Sequence, residues 1–194
     1  NRLFYAPLIR ALAAAHDAPI LDYLGAFRYP LAGEFAMTAE LARQVRVPRT
    51  WGLEVGTLGA AFRLAGFEGT EQADLGQHEH DHRSVSGPEG LGDMCRSVGE
   101  ALLWVLGEAG VDPDFATLAD RYREHAGTLI QQYAADAAFN GLDYDRAGER
   151  DQVDAYAATI EPPGEDTRLP AWTDAPLSTE TVRERSRAGL AEHT

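Results

Sequence analysis

The sequence contains no lysine: its 17 basic residues are all arginines, against 31 aspartates and glutamates, and the net charge is −14. Such a charge argues against nucleic acid or an anionic membrane surface as a bulk partner, because both are polyanions. Many acids without lysine are typical of proteins from salt-loving archaea, where salt screens the self-repulsion. A GC-rich genome also favours arginine over lysine, so a halophilic origin stays one of two explanations.

Cysteine is nearly absent as well. Because Cys95 stands alone, an internal disulfide is excluded, and a reducing cytoplasm fits. No run of about 18 apolar residues occurs, so no membrane span is predicted. The chain has no signal-peptide layout and no initiator methionine, and it opens inside an apolar helical pattern. We expect a cytoplasmic protein and a chain whose beginning is missing.

Apolar residues, 44% of 194, are enough to bury a core, and most of them recur at helical spacing. The periodicity predicts helices over residues 1–16, 51–64, 91–109, 115–139, 152–160 and 177–190, and a short helix or loop over 18–26. A further helix should begin after Thr38 and end before Pro48, Thr50 should cap the fourth helix, and Gly66 should close it.

Two segments have strand-like patterns, residues 26–35 and 71–76. The predicted content is therefore mostly helical with two or three strands. Two strands do not form a stable sheet alone, so the remainder of the sheet is expected outside this chain.

Three of the six histidines, His78, His80 and His82, alternate at the end of the second strand-like segment. In an extended chain they would share one face, about 6–7 Å apart. Imidazoles in this arrangement can bind a metal ion or contact anionic oxygens. Two functions are open on this pattern: a self-contained metal-binding domain with hydrolase chemistry, and, from the long helices that follow, a non-catalytic helical interaction domain.

Three blocks occur in order: Pro30–Glu34 (PLAGE), Trp51–Gly56 (WGLEVG) and Gln72–His80 (QADLGQHEH). Together they resemble the second half of the glucosyl-3-phosphoglycerate synthases and their mannosyl-3-phosphoglycerate synthase relatives. The resemblance covers roughly residues 1–106. It implies an α/β fold, the C-terminal part of the GT-A (nucleotide-diphospho-sugar transferase) fold. Residues 1–110 would be the C-terminal half of the catalytic domain and residues 111–194 a helical C-terminal extension.

The resemblance implies a retaining glycosyltransferase that moves a hexose from a nucleotide-sugar donor to a small phosphorylated or carboxylated acceptor such as 3-phosphoglycerate. It also implies a divalent metal, Mg²⁺ or Mn²⁺, and relatives of this kind are often homodimers. The family's Asp-x-Asp metal motif would lie before the three blocks, outside this chain. Asp112-Pro-Asp114 and Asp143-Tyr-Asp145 match it by letter but come too late in the chain.

By the same resemblance, His80 corresponds to the histidine that joins the acidic motif on the metal. His78 takes a position where relatives carry an arginine near the donor diphosphate, and a histidine there can donate one hydrogen bond. His82 takes the place of a polar contact to the acceptor. His78 and His82 thus depart from the family pattern, one at the contact with the donor diphosphate and the other at the contact with the acceptor.

The first two blocks supply the remaining candidate site residues. Leu31, Gly33 and Glu34 would form the floor under the sugar; the alternative is a β-turn with a solvated Glu34. Glu54, the candidate catalytic residue, would hold sugar hydroxyls or the acceptor, or would only be a first-turn carboxylate favoured by the helix dipole. Trp51 would stack on a sugar or base ring, or would be a core aromatic at a helix start.

Overall fold

The computed structural model describes residues 1–76 and 88–191, with the side chains of residues 88–90 left out. Within these ranges the chain is helical, and its helices follow the predicted periodicity closely. They are α1 (Tyr5–Ala13), α2 (Pro19–Ala26), α3 (Ala39–Gln44), α4 (Leu53–Ala65), α5 (Pro88–Glu108), α6 (Phe115–Phe139), α7 (Arg146–Ala157) and α8 (Thr179–Ala191), with a 3-10 turn at Trp172–Asp174.

Side-chain caps explain where several helices begin. The Thr38 hydroxyl accepts from the Leu41 amide at 3.2 Å, which confirms the predicted cap of α3. The predicted cap of α4 at Thr50 is wrong, because the helix begins after Gly52 and has no side-chain cap. Helix α7 begins six residues before the predicted start at residue 152, because the Asp145 carboxylate accepts from the Gly148 amide at 2.9 Å.

The predicted strands are wrong for the described residues. Residues 1–76 and 88–191 contain no β-strand and one isolated antiparallel bridge, between Val47 and Leu169. In the two strand-like segments, Gly33 and Gly76 have φ values of +83° and +74°, which an extended ladder does not accommodate. The GT-A assignment therefore stays a prediction, and the described part of the chain is an assembly of helices and irregular segments rather than an α/β layer structure.

One hydrophobic core joins six of the helices described above: α1, α2, α4, α5, α6 and α7. Helix α1 packs on α6, and the Tyr122 hydroxyl of α6 donates to the Leu3 carbonyl oxygen at 2.6 Å. Burial raises the pKa of Tyr122, so its hydroxyl stays protonated and the bond is kept. The core cluster runs from Leu3 to Ala157 and so crosses residue 110, where the predicted domain boundary lies. That boundary, residues 1–110 against 111–194, stays a prediction.

Helix α4 lies unusually close to α5 because glycine faces it. A Cβ added to Gly59 would come within 2.9 Å of the Val105 Cβ and nearer still to the valine methyl groups. One helical turn earlier on α4, a Cβ on Gly56 would lie 2.7 Å from Pro48 Cδ. The direction of α4, and so the place of its first turn, depends on these two close approaches.

The segment Glu161–Leu169, here called the strap, follows α5 along its surface. Arg96 forms an ion pair with Glu161, and one helical turn on, Glu100 Oε1 accepts from the Gly164 amide at 3.1 Å. The Gly164 carbonyl oxygen then accepts from Trp104 Nε1 at 3.2 Å. The strap is thus bound at successive turns of α5 although it has no regular secondary structure.

The end of the strap reaches the segment that packs on α4. The buried Arg168 guanidinium binds Glu108 of α5 and Asp166 of the strap, and Arg46 donates to Asp166 Oδ2 at 2.6 Å. The Leu169 amide donates to the Val47 carbonyl oxygen at 2.9 Å. The strap therefore connects α5 to the segment that carries Pro48.

In the described part of the chain, no helix combines the length and the apolarity that crossing a membrane requires.

We expect Gly59→Ala to destabilise the fold by about 1–3 kcal/mol, because the added methyl group overlaps Val105 and α4 must move away from α5. Urea unfolding followed by circular dichroism measures the loss. The matched control is Gly127→Ala in the interior of α6, where an added Cβ meets nothing within 4 Å. That change should stabilise the helix by up to about 1 kcal/mol, because alanine has the higher helix propensity. A loss of stability at both glycines would contradict the assignment of the Gly59→Ala effect to the contact with Val105.

The Asp166 carboxylate should make part of the stability depend on pH. The hydrogen bond from Arg168 holds the pKa of Asp166 well below its usual value. A depressed folded-state pKa gives stability that is present above the unfolded value of about 3.9 and is lost as the pH falls toward the folded one. We expect Asp166→Asn to lower the free energy of unfolding by about 1–2 kcal/mol at pH 7, and by progressively less below pH 4.

Urea unfolding at pH 7 and pH 3 measures this difference. Asp151→Asn, at an exposed position on α7, is the control and should change stability little at either pH. A loss for Asp166→Asn that is equal at both pH values would contradict the assignment of the effect to the ionised carboxylate.

Candidate functional site

The first two blocks meet at the start of α4. Gly33 forms the turn of the Pro30–Glu34 loop, and a Cβ built on it would lie 3.9 Å from Glu54 Oε1. The turn therefore places its backbone beside the carboxylate without a side chain between them. This loop and the first turn of α4 together form what we call the loop–helix site.

Glu54 is half-buried in the first turn of α4. The peptide dipoles of the helix favour a negative charge at this end. The residues after Glu54 fix the first turn of α4 in place, since Gly56 contacts Pro48 closely and Val55 is fully buried. Glu54 is thus an oriented carboxylate at an edge of the fold, suited to accept hydrogen bonds from hydroxyl groups or to repel a second anion.

The third block begins beside the first. The Gln72 side chain accepts, through Oε1, a hydrogen bond of 2.8 Å from the Arg28 amide, two residues before Pro30. Nearby, the Tyr23 hydroxyl donates to Thr70 Oγ1 at 3.2 Å. The start of the third block is therefore bound to the chain two residues before the first block, although 44 residues separate Arg28 from Gln72.

A shallow cleft of about 110 Å³ lies next to this junction. Its walls are mostly apolar, with the polar ends of three side chains among them; the lining is Tyr23, Ala26, Phe27, Phe67, Thr70 and Gln72. Burial raises the pKa of Tyr23, so its hydroxyl is a neutral donor. Pockets for whole small-molecule ligands usually measure about 300–1,000 Å³, so this cleft can hold only part of one.

The remaining predicted residues of the first two blocks differ in exposure. The Trp51 ring is 57% exposed, so its alternative role as a core aromatic is wrong. Leu31 is partly buried and packs against the hydrophobic core, which accounts for its apolar side chain, while Glu34 is exposed. Their assignment to substrate binding stays a prediction, as does that of Gly33 and Glu54.

The predicted metal ligand His80 and the contact residues His78 and His82 fall within residues 77–87, outside the described part of the chain. Just before residue 77, the Asp74 carboxylate accepts a hydrogen bond of 2.8 Å from the Gly76 amide and so shapes the turn at the end of the described segment. Among the described residues, no group of three or more His, Cys, Asp or Glu side chains could hold a metal ion.

In each of the two late Asp-x-Asp matches, the second aspartate caps a helix. Asp114 caps α6 by accepting from the Ala116 amide at 3.1 Å, and a hydrogen bond from Thr117 lowers the pKa of its carboxyl. Asp145 caps α7. These caps agree with the rejection of both pairs as the family's metal motif.

Arg2, near the start of the chain, has contacts with two helices. Its guanidinium pairs with Glu149 and lies 4.7 Å from the centre of the Tyr133 ring. The hydroxyl of Tyr144 donates to the same glutamate, and burial raises the pKa of that tyrosine to about 12. Arg2 thus links the start of the chain to α6 and α7.

Sequence reasoning missed the bonds that assemble the loop–helix site. Neither the Arg28–Gln72 bond nor the Tyr23–Thr70 bond joins residues close in the chain. The one available signal was composition, since glutamine and threonine stand in a segment that follows a closing glycine and has no apolar period. That signal marks a loop but does not identify its partner.

Comparison of the chain with known proteins gives one consistent result. The chain is 38% identical over 197 aligned residues to the glucosyl-3-phosphoglycerate synthase of Methanococcoides burtonii, covering 95% of this chain and 49% of the relative. The protein of the same name from Persephonella marina is 36% identical over 167 residues, covering 82% and 41%. That from Mycolicibacterium paratuberculosis is 38% identical over 86 residues, covering 44% and 25%.

The chain spans about half the length of the curated relatives it matches most fully. No known family profile matches it, and no solved structure does.

Proposed function

We propose, because this chain is related over nearly its whole length to glucosyl-3-phosphoglycerate synthases, that it forms part of a nucleotide-sugar-dependent glycosyltransferase. The transferase would move a hexose, with retention of configuration, to a small anionic acceptor such as 3-phosphoglycerate. The observation that carries the proposal is the 38% identity over 95% of the chain. The relatives support the predicted resemblance, which three blocks of sequence had indicated.

The loop–helix site supports a role in holding the sugar. A glycine at the turn leaves the backbone of the Pro30–Glu34 loop open to close approach by a ligand, and the Glu54 carboxylate beside it can accept bonds from sugar hydroxyls. The exposed ring of Trp51 lies three residues from Glu54 in the chain and can stack on a sugar or base. Leu31, packed on the core, would give the floor of the site its rigidity.

In the proposed transfer, the bond between the anomeric carbon and the diphosphate oxygen breaks, and the diphosphate leaves with the electron pair. The acceptor oxygen bonds to the same face of that carbon, and its proton passes to an oxygen of the departing diphosphate. The residues of this chain would orient the sugar for that exchange, and orientation alone contributes much to the rate of such reactions.

The histidines carry a separate proposal. His80 would bind a divalent metal, Mg²⁺ or Mn²⁺, and His78 and His82 would contact the donor diphosphate and the acceptor. A homodimer, a cytoplasmic location and adaptation to high salt also stay predictions.

The two alternatives, a hydrolase built on the histidine cluster and a non-catalytic helical interaction domain, are not favoured. All three relatives carry the name of one synthase.

Glu54 and Glu40 provide a matched test, because each is the acidic residue in the first turn of its helix. Both glutamine variants lose a charge of the kind that the helix dipole favours, worth about 0.3–1 kcal/mol. We expect Glu54→Gln to lower kcat/KM for hexose transfer by about 10–100-fold, as a lost charged hydrogen bond does, and Glu40→Gln to leave it unchanged.

The measurement is transfer of labelled hexose from UDP- or GDP-hexose to 3-phosphoglycerate by the protein in the full length that its gene encodes. Equal kinetics in both variants would reduce Glu54 to a helix-end charge.

His80→Ala tests the metal assignment. We expect it to abolish transfer and to weaken Mn²⁺ binding, measured by calorimetry, without lowering the melting temperature, since the role assigned to His80 is to bind the metal. His125→Ala, on α6, is the control and should leave both transfer and Mn²⁺ binding unchanged. Retained turnover in His80→Ala would refute the assignment, and tight stoichiometric Zn²⁺ binding by the 194-residue chain would support the hydrolase instead.

A further inference from the structure

We propose that Gln72 is a positioning residue, whose side-chain oxygen holds the root of the Pro30–Glu34 loop so that Gly33 stays beside Glu54. The inference rests on the proposed function, in which this loop lies under the sugar. Gln72 itself touches neither Gly33 nor Glu54; it acts through the backbone of Arg28.

The root of the loop is held by side chains instead of a strand partner. After α2 ends at Ala26, the chain becomes extended at Phe27, so the next amide has no place in a helix. The Arg28 amide donates to Gln72 Oε1 at 2.8 Å, and the Arg28 carbonyl oxygen accepts from Asn1 Nδ2 at 3.1 Å. Both backbone polar groups at the root are therefore satisfied by residues distant in sequence.

Gln72 is a firm anchor because the residues around it are attached to the core. Two residues earlier, Thr70 bonds to the hydroxyl of Tyr23, and Tyr23 is only 1% exposed. The Tyr23 ring also packs edge-on against Phe27 and Phe67, with ring centres 5.1 and 5.4 Å apart. The segment after α4 and the segment after α2 are thus joined through one buried ring.

The bond itself is exposed, because both Arg28 and Gln72 lie on the surface. An exposed hydrogen bond adds little to global stability, so its loss should release the loop locally without unfolding the chain. Five residues farther on, Gly33 would move relative to Glu54, and a displacement of this kind lowers the rate of a reaction that depends on orientation. The geometry therefore predicts a kinetic effect in an otherwise folded protein.

Two variants of nearly equal size separate the hydrogen bond from the packing of the side chain. Gln72→Met removes the acceptor oxygen and keeps the length, whereas Gln72→Glu keeps an oxygen that can accept from the Arg28 amide. We expect Gln72→Met to lower kcat/KM for the nucleotide sugar about 3–10-fold, with KM for the acceptor unchanged and the melting temperature within about 2 °C of the wild type. Gln72→Glu should stay within about twofold of the wild type.

Hydrogen exchange provides a second readout that needs no activity. Exchange of the Arg28 amide, followed by NMR, should be faster in Gln72→Met by about 3–10-fold and unchanged in Gln72→Glu. If the wild type transfers no hexose, the proposed function fails, and the inference is then decided by this exchange rate alone.

Three results would overturn the inference: wild-type kinetics in Gln72→Met, an equal loss in both variants, or unchanged exchange at Arg28. Faster exchange together with a lower kcat/KM for the donor, both restored by Gln72→Glu, would support it.

Discussion

The close approach of α4 to its two neighbours is the constraint on which the rest of the site depends. The absence of a side chain at Gly59 lets Val105 approach closely, and one helical turn earlier Gly56 does the same for Pro48. A helix in close contact with two different segments at successive turns has little freedom to shift, so its first turn, with Glu54, has a defined place. The strap extends this constraint, because Arg168 and Arg46 bind one carboxylate and Leu169 bonds to Val47, next to Pro48.

The loop–helix site has an unusual kind of support. In a sheet, backbone ladders would fix the spacing between neighbouring segments, whereas here a glutamine oxygen, a tyrosine hydroxyl and an asparagine amide do so. Single side-chain bonds are weaker individually than a ladder and each is worth about 1 kcal/mol. The arrangement therefore combines a helix in close contact with its neighbours and a loop whose position depends on a few single hydrogen bonds.

The helices were predictable because their information is local. The period of apolar residues gave α6 its bounds at Phe115 and Phe139, and a threonine followed by helix formers gave the cap of α3. The strands were mispredicted because residues 26–35 and 71–76 have a strand-like composition. Their backbone is determined instead by a hydrogen bond between residues 44 positions apart and by glycines at positive φ. The histidine assignments stay predictions, because residues 77–87 lie outside the described part of the chain.

The resemblance that indicated the family does not by itself distinguish packing from chemistry. In the block Trp51–Gly56, the last glycine is needed because Pro48 fills the space beside it, whereas Trp51 is largely exposed and Glu54 is turned toward the loop. A match in letters counts these residues equally, although Gly56 is enclosed by Pro48 whereas Trp51 and Glu54 are at least partly accessible. The same holds for Leu31, which is partly buried against the core, and for Gly33, which makes the turn. Chemical roles within a matched block therefore have to be assigned from contacts and exposure, residue by residue.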